Sequence, residues 1–134
     1  MKHLVPVLAA AALLGCGTHP QAASKEPAVS NVVTLSASAF PAVKAQGKPV
    51  LIDFWAPWCG PCRTQGPIVD QVANLMGDRA IVAKLNVDDE RDLASQFAVQ
   101  AIPTLVVLKD GNVVQRFVGV QSADVLKNAL ESAR

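Results

Sequence analysis

Two cysteines separated by two residues, Cys59 and Cys62, lie within the run Phe54-Trp55-Ala56-Pro57-Trp58-Cys59-Gly60-Pro61-Cys62. Thiols at this spacing can close a small disulfide ring when the first stands at a helix N-terminus, where free backbone N–H groups and the helix dipole favour thiolate over thiol. The expected chemistry is that of a redox dithiol, with Cys59 as the nucleophile. The third cysteine, Cys16, lies far away behind an apolar N-terminal run, which leaves Cys59 and Cys62 to pair. Structural zinc usually takes four Cys or His ligands, and the pair supplies two. The only histidines, His3 and His19, fall in the leader region. Neither a zinc site within one subunit nor a Cys-His hydrolase, which needs a base within reach of its nucleophile, is therefore expected. A purely structural bridge would gain little from closing so small a loop.

The elements that must position this pair can be read from apolar periodicity. Val50 to Trp55 is a nearly continuous apolar and aromatic run, the pattern of a central strand buried on both faces. A helix is expected from near Cys59 to about Met76, with Ile68, Val69, Val72, Leu75 and Met76 at helical spacing and a kink at Pro67. Val32 to Leu35 predicts an edge strand, and Ser36 predicts the cap of a helix reaching about Ala45. Ala80 to Val87 reads as a second buried strand, followed by a helix that starts at Asp88-Asp89-Glu90 and carries Leu93, Ala94 and Phe97. Thr104 to Lys109, Asp110-Gly111 and Asn112 to Val118 form a hairpin pattern. A last helix from about Ser122 to Ala133 presents Val125, Leu126, Ala129 and Leu130 on one face. Strands alternating with helices imply parallel pairing, and the closing hairpin adds antiparallel pairs. The expected class is α/β, a mixed sheet with helices on both faces.

Residues 1–15 read as an export signal, with Lys2 as the positive start and Leu4 to Leu14 as an apolar core too short to span a bilayer. Leu13-Leu14-Gly15-Cys16 resembles the bacterial lipobox, which implies cleavage before Cys16 and its lipidation; ordinary secretory cleavage near Ala22-Ala23 is the alternative. Residues 16–31 are polar and read as a flexible tether. Residues 32–134 then form one domain of ordinary size. Removing Lys2 from the count leaves eleven basic and eleven acidic side chains, scattered rather than grouped. That balance gives no electrostatic footprint for nucleic acid and no polybasic patch for anionic lipid, so membrane attachment is expected through Cys16 alone.

With this order of elements, and with Trp58-Cys59-Gly60-Pro61-Cys62 opening the second helix, residues 32–134 resemble the thioredoxin family. Asp53-Phe54-Trp55-Ala56, Pro67, Ala83-Lys84-Leu85-Asn86-Val87-Asp88, Ile102-Pro103-Thr104, Gly111 and Gly119 carry the resemblance further. It implies the thioredoxin fold and a protein-disulfide reductase, a monomer acting on disulfide-containing polypeptides with no organic cofactor and no metal. It also implies that Asp53, an acid in an apolar strand that should be neutral if buried without a partner, serves Cys62 as acid and base, with Lys84 as its charge partner. Ile102-Pro103-Thr104 is similar to the family's cis-proline loop, which pairs with incoming polypeptide. Trp58 would offer a flat apolar surface, Trp55 would be core, and Gly119 would leave room for a partner's backbone or serve a turn.

The chain departs from the family at Pro57, at Gly66 and in its leader. Export puts it out of reach of a cytosolic reductase, so a membrane thiol electron donor is expected. A dedicated reductase of the cytochrome c maturation type, an exported oxidase or isomerase, and a polypeptide-binding chaperone are the alternative readings.

Overall fold

The computed structural model describes residues 30–134; the leader, Cys16 and all but the end of the tether lie outside them. Five strands, β1 (Val32–Thr34), β2 (Val50–Trp55), β3 (Ile81–Asn86), β4 (Thr104–Lys109) and β5 (Asn112–Val118), form one sheet in the order β1-β3-β2-β4-β5. β1 and β2 pair parallel with β3, whereas β4 is antiparallel to both β2 and β5. The mixed α/β sheet expected from the sequence is present, with β1 at one edge. β2 is central because Val50 to Phe54 are all buried and so require neighbours on both sides and cover on both faces.

Alternation along β2 divides the core. Val50, Ile52 and Phe54 pack with Leu35, Val43, Leu85, Leu93, Val106 and Leu108, under α1 (Phe40–Ala45) and α3 (Arg91–Gln96). Leu51 packs instead with Val69, Val72, Met76, Leu105, Leu126 and Leu130, under α2 (Gly60–Met76) and α4 (Ala123–Ser132). The period of two places Asp53 on this second face, directly below α2. Lys84, its register partner on β3, shares that face with Val82.

Several boundaries differ from the sequence reading. α1 begins at Phe40 because Ser36 closes a separate turn, accepting through Oγ and its carbonyl from the Ala39 amide; Pro41 then fits the first helical turn, where no N–H is needed. α2 reaches Met76 with Pro67 inside it, as expected. Leu75 and Val125, expected on buried faces, are 45% and 41% exposed, since the buried stripes of their helices run through Val69, Val72, Ala73 and Met76 and through Leu126, Ala129 and Leu130. Ser122 caps α4 by accepting from the Val125 amide. Asp110 (φ 50°) and Gly111 (φ 79°) both take left-handed conformations, as the tight hairpin turn requires.

Candidate active site

Cys59 and Cys62 form a disulfide at the mouth of α2, with their Cα atoms 5.3 Å apart. β2 delivers the chain to this point, and Cys59, in extended conformation, is the N-cap. Its Sγ accepts from the Cys62 amide at 3.2 Å. The two residues are 5% and 4% exposed, so accessibility does not distinguish them. Position does, because only Cys59 has its sulfur on the free amides that end the helix, where negative charge is stabilised. Pro61 sits in the first turn, where its missing N–H breaks no bond. At Gly60 a side chain would meet open space.

Asp53 lies behind the pair, 1% exposed, and neither carboxyl oxygen has a hydrogen-bond partner. Burial pushes its pKa up from 3.8 to about 7; the Lys84 ammonium opposes the rise and the Asp70 carboxylate adds to it. A pocket of about 190 Å³ joins Asp53 to Cys62, with Trp55, Pro57, Arg63, Gly66 and Lys84 among its walls. Its walls are mainly apolar, but it is large enough for water, and the Asp53 carboxyl and the Lys84 ammonium could hold one to relay a proton.

Lys84 acts on Asp53 through its charge and not through a hydrogen bond. Its Nζ donates to Asp70 Oδ1 at 3.2 Å and to the Gly66 carbonyl at 3.4 Å, and not to Asp53. The physical reason is reach: a long stem from β3 lets the ammonium arrive at the half-exposed edge of α2, where a solvated carboxylate costs less than a buried one.

Across the pair, the Ile102-Pro103 peptide is cis. Cys59 Sγ is 3.8 Å from the Ile102 carbonyl oxygen, and Ile102, Val87 and Trp55 pack against the cysteines. Thr104 is buried, and its hydroxyl donates to the Ala101 carbonyl, closing the loop. Gly119 donates its N–H to the Pro103 carbonyl at 2.8 Å and has φ +88°, so its backbone conformation alone calls for glycine. Trp58 is 67% exposed, with its indole N–H bonded to Asp88 Oδ2 at 2.9 Å. It lines a shallow groove with Val87, Val99, Ala101 and Ile102.

The contacts of three residues here escaped the sequence reading. Gln65 is fully buried and bonds both the N–H and the carbonyl of Gln121, tying α2 to the loop that holds Gly119. Its place four residues before Val69 on the buried stripe was the available signal. Asp70 and Asp88 gave no signal of these contacts: Asp70 is a lone acid between Val69 and Gln71, and Asp88 reads with Asp89 and Glu90 as an acidic helix start.

An N-capping cysteine in a disulfide, a buried acid behind it and a cis-proline loop beside it define a thiol-disulfide oxidoreductase on a five-stranded sheet. Residues 31–132 match the family described as Thioredoxin. The chain belongs to the thioredoxin family. It is 47% identical over 83 residues to thioredoxin 1 of Synechococcus elongatus, covering 62% of this chain and 78% of that protein. Over 98 residues it is 42% identical to thioredoxin of Alicyclobacillus acidocaldarius, covering 73% and 93%. Among solved structures, an N21Q thioredoxin from Halobacterium salinarum superposes with a TM-score of 0.69 at 38% identity, covering 76% of this chain and 88% of that one.

Proposed function

We propose that the protein is an exported, membrane-tethered protein-disulfide reductase. Reduced Cys59, as thiolate, attacks one sulfur of a substrate disulfide; a mixed disulfide forms and the other substrate sulfur leaves as thiolate. Cys62 then loses its proton to Asp53 through pocket water and attacks Cys59 Sγ, which releases the second substrate thiolate and leaves Cys59 and Cys62 oxidised. The dithiol itself carries the two electrons. The observation that carries this reading is the buried, unpartnered Asp53 sharing a pocket with Cys62, since a base of pKa about 7 is matched to proton transfer near neutrality. The groove from Trp58 to Ile102 is where a substrate segment would lie.

The setting belongs to the same proposal: residues 1–15 as signal, Cys16 as the lipidated residue, 16–31 as tether and 32–134 as the working domain. The leader pattern and the lipobox resemblance support it. An exported reductase needs electrons carried across the membrane, which implies a membrane thiol donor.

Cys62→Ser tests the chemistry. The variant should accumulate mixed disulfides at Cys59 with disulfide-bearing polypeptides, separable by non-reducing electrophoresis and reversed by dithiothreitol. A variant that forms none would contradict turnover and favour a binding role.

A further inference from the structure

Lys84 and Asp53 are register partners on adjacent parallel strands with side chains on the same face, a placement that brings neighbouring side chains within contact distance. The ammonium nevertheless rests on α2, bonded to Asp70 and the Gly66 carbonyl, while both Asp53 oxygens are without partners. The ammonium lies close over Gly66, where a Cβ would stand 3.5 Å from Nζ, in ordinary contact. Lys84 thus has two carboxylates within its range and is held by the outer one.

We propose that Asp70 is a positioning residue for the resolving step, holding the Lys84 ammonium on the α2 side of the pocket and so keeping it from closing onto Asp53. The inference rests on the reading of Asp53 as the base for Cys62. The charged and titratable groups facing Asp53 are Lys84 from β3, and Asp70, Arg63 and Cys62 from α2; Leu105, its register partner on β4, is uncharged. Asp70 acts on Asp53 in one direction by two routes. Its own negative charge disfavours a second one, and its hold on Lys84 withholds the cation that would favour it. Removing Asp70 leaves Asp53 as the carboxylate for Lys84 to reach. The base would then be too weak to take the Cys62 proton efficiently, although ionised at lower pH.

The test is a carbon-13 titration of the Asp53 carboxyl in the oxidised full chain, which needs no substrate turnover and therefore separates this inference from the proposed activity. Asp70→Asn should lower the Asp53 midpoint by about 1 pH unit, a tenfold change in proton affinity and the low end of what a nearby opposite charge does. Asp70→Glu, which keeps the carboxylate, should restore most of it. In a Lys84→Gln background, Asp70→Asn should move the midpoint by less than half as much. The acid limb of mixed-disulfide resolution, followed by stopped flow, should shift with the midpoint. An unchanged or raised midpoint in Asp70→Asn would overturn the proposal. So would an equal drop with and without Lys84, which would mean that Asp70 acts by its charge alone and positions nothing.

Discussion

Asp53 is where chemistry and stability conflict. Its proton affinity is higher folded than unfolded, so between pH 3.8 and about 7 the native state binds more protons and unfolding becomes easier as pH rises. Above pH 7 the full penalty applies, on the order of 4 kcal/mol for a shift of this size. Asparagine has the same shape and no charge to bury. Oxidised Asp53→Asn should therefore be more stable than the parent by a few kcal/mol at pH 8, with the difference vanishing near pH 4, as measured by urea unfolding across that range. Equal stabilities at pH 8 would mean that Asp53 ionises without cost. The residue scale was legible in the sequence where one residue broke a pattern, as Asp53 does in its strand and Cys59 at its helix start. It was illegible where a role depends on which of two partners a flexible side chain chooses, as with Lys84, or on a bond to a surface acid, as from Trp58 to Asp88.

The order of elements was legible throughout, because strands buried on both faces and a hairpin turn leave strong local signals. Boundaries were less so. Ser36 has the chemistry of a helix cap but closes a turn three residues early, and Leu75 has the spacing of a core residue at the margin of a stripe only about 100° wide. α2 also carries an internal weakness at Gly66, where glycine costs about 1 kcal/mol relative to alanine. Its backbone is helical, and a Cβ would make only ordinary contact with Lys84 Nζ at 3.5 Å. Gly66→Ala should raise stability by about 0.5–1 kcal/mol in denaturant unfolding. A loss of stability would show that the space beside the ammonium is needed.

At the scale of the molecule, fold and function converge at one end of the sheet. β2 and β3 run parallel towards it, α2 begins there, and the cis-proline loop and Gly119 close it. The proposed tether predicts that the chain expressed in a bacterium fractionates with membranes, and that Cys16→Ser releases it while leaving the dithiol intact; membrane release of neither or of both forms would contradict lipidation. The central claim is that the Cys59-Cys62 dithiol removes disulfides. The most direct measurement is its reduction potential, obtained by equilibrating the chain in defined thiol-disulfide buffers and counting free thiols. Thioredoxin itself is the reference for a strongly reducing dithiol, at about −270 mV. A value near or below that is the predicted result. A value near the roughly −120 mV of a strong exported oxidant would contradict the account and mean that the protein makes disulfides rather than removing them.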